Sequence, residues 1–267
     1  MFFNRVGAIA LRQFYLARGS PTRLVPMFAW VAIDMLLWGF LTKYLNAVSS
    51  AGFNFVPALL GAMLLWDFFI RVMQGVTTAF FEDVWARNFL NVFASPISIA
   101  EYVCGLVISS IATSTLSLIA MILLASAIFG LSFLSFGFAL FPFLMSLFLF
   151  GIAFGIIGCA LVLRLGPAAE WFVWPIPALI SPFAAVMYPL AVLPRWMQYI
   201  GRVLPASYVF ENMRAIVQGR SASGVGLALA VGLAVVHVVL ASWIFTRVYW
   251  RAVRTGLIAR YSAESLS

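Results

Sequence analysis

Charge is what this chain has least of: 9% of its 267 residues are Asp, Glu, Lys or Arg, against roughly a quarter in a soluble domain. It has one lysine, Lys43, one histidine, His237, and two cysteines, Cys104 and Cys159. Each scarcity excludes a chemistry. Lys43 is not preceded by Gly and stands in no G-x-x-x-x-G-K-[ST] sequence, so there is no phosphate-binding loop of that kind. His237 has no Cys, Asp or second His at ligand spacing, which argues against a metal site and for a helix–helix hydrogen-bond donor. Both cysteines lie within apolar runs, where a thiol acts as a small hydrophobe, and no disulfide is read from them. Catalytic residues are expected to be none, since no Ser/His/Asp set, H-E-x-x-H or paired-carboxylate site is present.

What is present is apolar: 64% of the residues are hydrophobic, more than a water-soluble fold of this size can hide. Runs of about 20 apolar residues, the length that crosses a ~30 Å hydrocarbon core, predict spans near 24–45, 55–81, 102–130, 136–163, 168–190 and 225–249. The expected fold is an all-α integral membrane protein of about six transmembrane helices, one domain over 1–267. The first run is too long for the apolar core of a signal peptide and is read as a retained span. Pro175, Pro177, Pro182 and Pro189 interrupt the fifth, so that stretch should face the protein interior or a partner subunit, where freed carbonyls find donors. Gly151-x-x-x-Gly155, with Gly158, predicts close helix packing in the fourth.

The net charge of +8 is spread over segments flanking the apolar runs, which points to membrane topology rather than nucleic acid. Arg5 to Arg23 at one end and Arg247, Arg251, Arg254 and Arg260 at the other place both termini in the cytoplasm. Residues 1–23 combine Phe3, Val6, Ala10 and Phe14 with Arg5 and Arg12, seven apart. They read either as an amphipathic interfacial helix in contact with membrane lipids or as a basic tail that only sets topology.

Between the second and third spans lies the polar stretch 82–101. Trp85, Phe89 and Val92/Phe93 recur at helical spacing before Ser95-Pro96 stops the helix, which predicts a short amphipathic helix. Further on, Pro194 and Pro205 are placed to begin two short helices, and Glu211, Arg214 and Gln218 share a face opposite Val209, Met213 and Ile216. This hairpin, 191–224, carries Arg195, Arg202, Arg214 and Arg220; it reads as a lid over an exit or as a set of headgroup anchors.

Glu82, Asn88, Ser95, Pro96, Ile97, Ser98 and Glu101 resemble the cytoplasmic segment of ABC-2 type exporter permeases, many of which have Gly near Arg87. Tyr188-Pro189, Leu193-Pro194, Trp196-Met197-Gln198, Leu204-Pro205, Tyr208, Glu211 and Arg214 resemble the external re-entrant hairpin of the same family. The resemblance implies a multi-pass subunit of the cytoplasmic (inner) membrane that pairs with a second copy of itself. It implies two copies of a separate ABC ATPase docking at 82–101, through Glu82, Trp85, Asn88, Pro96, Ser98 and Glu101, and at the N-terminal helix. ATP and Mg would be held on that partner and no cofactor on this chain. The exported substrate would be an amphiphilic drug, a lipid or a polysaccharide.

Charges inside spans need partners or water. Asp67 and Arg71, four apart, share a helix face, and Asp34, mid-way along the first span, is at a depth to reach Arg71. The set reads as a structural clamp, as part of a translocation path, or as the coupling site of an ion- or proton-driven carrier.

Overall fold

The computed structural model describes residues 2–19, 21–48, 56–88, 91–92 and 95–257, without the side chains of Ala17 and of 21–28. Phe89, Phe93 and Arg260, and the side chain of Arg23, lie outside that set. Helix α1 spans Phe2–Arg18 and α2 Pro21–Val48. A π-helical turn, Val56–Leu60, runs into α3, Gly61–Trp85. Helix α4 is Ile99–Phe129 and α5 Leu140–Leu165, preceded by a 3-10 turn at Phe133–Ala139. Two shorter helices, α6 at Arg195–Val203 and α7 at Pro205–Val217, precede α8, Gly224–Arg254. No strand occurs among the described residues.

The chain is an all-α integral membrane protein, and five stretches among the described residues are long and apolar enough to cross a bilayer: Ala29–Val48, Val56–Trp85, Ile99–Phe129, Phe133–Leu165 and Gly224–Arg254. The helix expected over 168–190 is instead a chain of short turns, Pro167–Ala169, Glu170–Val173 and Ile176–Ile180, followed by bends. Pro175, Pro177 and Pro182 each remove a backbone donor, so no continuous helix forms. The path still covers the depth of the fold. At its start Trp85 Nε1 donates to Glu170 Oε2 at 2.8 Å. At its end the Leu190 amide donates to Glu211, next to Phe210, whose ring is 6.2 Å from that of Trp66. Trp66 and Trp85 stand about 28 Å apart along α3 at 1.5 Å per residue, close to the hydrocarbon thickness.

Small residues set the packing at the centre. A Cβ on Gly151 would lie 2.7 Å from Val72 Cβ and one on Gly155 2.7 Å from Val76 Cβ, so α5 meets α3 almost backbone to backbone. Ser110 of α4 donates to the Val72 carbonyl at 2.9 Å, and Ser146 of α5 to that of Ala230 at 3.0 Å. Along α8 the buried residues are Ala230, Ala234, Ala241, Phe245 and Ala252, a narrow stripe on the helix that packs against α5. Between these seams Trp66, Phe69, Phe150 and Phe154 form an aromatic stack, with Phe69 and Phe150 5.0 Å apart. His237 extends this stack at 5.4 Å from Phe150. Its Nδ1 bonds the Leu233 carbonyl at 2.8 Å, one turn back, rather than a neighbouring helix as its lone position suggests.

Candidate functional site

Helix α1 is seated by one stripe and two arginines. Val6, Ile9 and Gln13 are buried, while Phe3, Leu11, Phe14 and Tyr15 face outward as a lipid-contacting surface would. Phe3 and Phe14, expected on the same face as Val6, therefore point away from the fold. Ile9 packs against Gly105 of α4, where a Cβ would come within 2.5 Å of Ile9 Cγ2. Gln13 donates to the Ala79 carbonyl at 3.3 Å. Arg5 pairs with Glu101 at 3.5 Å, and Arg12 grips both oxygens of Asp83, one of them at 3.1 Å. The Asp83 carboxylate raises the pKa of Arg12 above the ordinary arginine value, chiefly through the hydrogen bond.

Asp83, fully buried, also accepts from Tyr102 Oη at 2.7 Å and from Asn88 Nδ2 at 3.4 Å. Three elements and a connecting turn thus converge on one carboxylate. The resemblance singles out Glu82, which is half-buried, and not its neighbour. Periodicity carries the missed signal: Asp83 continues the buried stripe Val72, Val76, Ala79 and Phe80, and Tyr102 begins the stripe Leu106, Ser110, Ser114. Arg12 and Asp83 are 71 residues apart, a pairing only the tertiary fold reveals.

The stretch expected to act as one unit over 82–101 divides into three. Glu82 and Trp85 belong to the last turn of α3. Arg87 then turns the chain in the left-handed region, φ 53°, the conformation glycine adopts without cost. This is where the resemblance has glycine. Asn91 and Val92 are helical, and the Val92 amide bonds the Asn88 carbonyl at 3.0 Å. Ser98 and Glu101 start α4 as a capping box: the Glu101 amide donates to Ser98 Oγ at 3.2 Å and the Ser98 amide to Glu101 Oε2 at 2.7 Å. Pro96 is exposed just before it. Glu101 is thereby tied to its own helix and to Arg5. Between α1 and the described residues after Asn88 lies a cleft of about 270 Å³ bounded by Ile9, Arg12, Asn88, Val92, Ile97 and Tyr102. Trp85 is exposed and bonded to Glu170, so it links the end of α3 to the broken segment.

At mid-span Arg71 binds Asp67 with two hydrogen bonds, 3.2 Å from Nε and 3.0 Å from Nη2, and its Nη2 lies 3.7 Å from Asp34 of α2. Asp67 and Arg71 are nearly enclosed; the Asp34 side chain is 46% exposed.

In the hairpin the four arginines divide. Arg214 is largely enclosed and donates to the carbonyls of Ala185 at 2.7 Å and Val186 at 3.3 Å and to Glu211 at 3.2 Å. Burial lowers its pKa below the ordinary arginine value, against the pull of Glu211. Ala185 holds a left-handed φ of 58°. Tyr188 Oη meets the Pro182 carbonyl at 3.0 Å, and Glu211 the Leu190 amide at 2.7 Å. These side chains satisfy backbone that the prolines left unpaired. Arg195, Arg202 and Arg220 remain exposed.

No group of three or more His, Cys, Asp or Glu able to hold a metal occurs among the described residues. The family described as ABC-2 type transporter has a model that matches residues 5–217, well over half of the chain. No curated protein matches it.

Proposed function

The chain belongs to the ABC-2 type transporter family, whose membrane domains are permeases, and we propose that it is the transmembrane subunit of an exporter driven by a separate ATPase. The observation that carries this reading is the clamped end of the molecule. There Arg5–Glu101 and Arg12–Asp83 join α1, the end of α3 and the start of α4 beside the cleft lined by Asn88, Val92 and Ile97. A push on this surface acts on three helices together, because the fully buried Asp83 carboxylate would lose its partners if they separated. Two ATPase subunits, holding ATP and Mg, would dock on the clamped ends of two copies of this chain in the cytoplasmic membrane. With both termini cytoplasmic, the hairpin α6–α7 lies at the outer face. Closing of the ATPases would tilt α2, α3 and the broken segment and open a path between the copies for an amphiphilic drug, a lipid or a polysaccharide.

Reconstituted vesicles test this. Substrate export that needs a co-purifying ATPase and stops with vanadate is the expected result; export from vesicles containing this chain without an ATPase overturns it.

One observation favours a second reading, an ion- or proton-coupled carrier: two carboxylates share one guanidinium at mid-depth, and Asp34 is half-exposed. In that case an uncoupler collapses export at constant ATP, and Asp34→Asn abolishes coupling while leaving ATPase binding intact.

A further inference from the structure

Between the hairpin and the start of α8 lies an open cavity of about 910 Å³. Its charged lining residues are Arg202 from α6, Arg220 from the turn after α7, and Glu211. Glu211 is committed, accepting from the Leu190 amide at 2.7 Å and from Arg214 at 3.2 Å, and Arg214 balances its charge. Neither Arg202 nor Arg220 has a carboxylate partner among the described residues. Arg202 leans over the Tyr199 ring at 5.8 Å, and Arg220 donates to the neutral Gln218 side chain at 2.5 Å. The cavity therefore presents two uncompensated guanidinium groups. The first turn of α8, a 31-residue helix whose Ser223, Val225 and Gly226 line the same cavity, adds positive potential there.

The other side of the cavity is apolar. Val225, 71% exposed, and Leu229 stand on the outward face of α8, which is one of the membrane-crossing helices. On α6, Trp196 and Tyr199 are exposed beside Arg195 and Arg202, the residue mixture of a headgroup layer. A cavity that is cationic towards water, apolar towards the acyl chains and set at headgroup depth matches one kind of molecule. We propose that it binds the phosphate headgroup of an anionic amphiphile, with Arg202 and Arg220 holding the phosphate and Val225 and Leu229 meeting the first carbons of its chain. The planar guanidinium fork suits two phosphate oxygens at once. This deepens the exporter reading by naming a ligand class, and depends on it only for the leaflet.

The test uses the purified full chain in neutral detergent, without any ATPase, so it stands or falls separately from the exporter reading. Short-chain phosphatidylglycerol, short-chain phosphatidylcholine and inorganic phosphate are titrated in turn, with binding read by native mass spectrometry and by thermal stabilisation. Phosphatidylglycerol should bind at least about tenfold more tightly than phosphatidylcholine, the scale of one charge-assisted contact. Arg202→Gln and Arg220→Gln should each weaken it by about tenfold, whereas Arg195→Gln, also exposed but outside the cavity lining, should leave it unchanged. Equal binding of the two lipids overturns the proposal. So does an unaltered affinity in the double variant, or an equal loss in Arg195→Gln, which would indicate diffuse surface charge. Inorganic phosphate binding as tightly as phosphatidylglycerol would overturn the apolar half of the site.

Discussion

The two ends of the molecule use ionised side chains for opposite purposes. At the α1 end, acids and bases from different elements meet each other: Arg5 with Glu101, Arg12 with Asp83. The backbone there is satisfied by regular helices and one capping box, and charge serves to join them. At the hairpin end, Glu211 and Arg214 spend most of their contacts on backbone, the Leu190 amide and the carbonyls of Ala185 and Val186. Prolines have broken the regular bonding, and charge replaces it. Losing a charge should therefore detach elements at one end and unravel one segment at the other.

The largest effect is expected at Asp83. Asp83→Ala deprives the fully buried Tyr102 hydroxyl of the Asp83 acceptor and Arg12 of its partner. The side chain of Arg12 is 35% exposed and can turn to water, which reduces the loss to about 3 kcal/mol. The midpoint of unfolding in detergent should fall accordingly, and amide exchange should rise along α1 as a unit. Asp83→Asn, which keeps an acceptor for Tyr102, should lose about half as much. An unchanged midpoint in Asp83→Ala would mean that charge does not join the elements at this end.

Next comes Arg214→Leu, expected to cost about 2 kcal/mol through the orphaned carbonyls. Here the rise in amide exchange should be confined to residues 183–192 and spare α1. Arg214→Lys should not restore stability, since one ammonium does not reach two carbonyls and a carboxylate in the geometry of a planar fork. If exchange rose over the whole chain, the segment would be part of the global core and not a local patch.

These two residues also mark what a sequence reveals. Asp67–Arg71 was legible because a spacing of four fixes neighbours on any helix, and Asp34 because depth along a span is countable. The two short helices of the hairpin were legible from Pro194 and Pro205, although Pro194 stands at the N-cap of its helix and only Pro205 lies in a first turn. Arg12–Asp83 was not legible, since nothing local specifies which of two adjacent acids meets a helix 71 residues earlier. Ser98 and Glu101 have the S-x-x-E spacing of a capping box, a local role that the resemblance to a docking segment does not include. Nor did apolar length find the true course of 168–190, because composition does not distinguish a span from a broken path of equal depth.

A smaller effect is expected at the α1 end from a substitution that removes no charge. Gly105→Ala places a methyl 2.5 Å from Ile9 Cγ2 and 2.6 Å from its Cβ, so no rotation of the isoleucine relieves it. Lifting α1 should cost about 1–2 kcal/mol. It should also weaken capture of the ATPase if the cleft beside Ile9 belongs to the docking surface, a result read by comparing pull-down with the unfolding midpoint.

The smallest effect concerns strain, which each end carries once. Among the described residues two that are not glycine have positive φ, Arg87 at 53° and Ala185 at 58°. An L-residue there costs roughly 1–2 kcal/mol, whereas glycine gives back about 0.5–1 kcal/mol in chain entropy. Arg87→Gly should therefore stabilise by less than about 1 kcal/mol, a rise of a few degrees in the unfolding midpoint, because the Arg87 side chain is exposed and the turn is closed by its own backbone, the Arg87 amide on Val84 and the Asn88 amide on Asp83. Ala185→Gly relieves the same strain but removes a methyl that is fully buried, worth about 1 kcal/mol in lost packing, and should come out neutral or slightly unfavourable. The sign of the difference between the two variants then reports the contrast between the ends: at Ala185 the surroundings, with Arg214 on its carbonyl, hold the strained residue in place, whereas at Arg87 only the turn itself does.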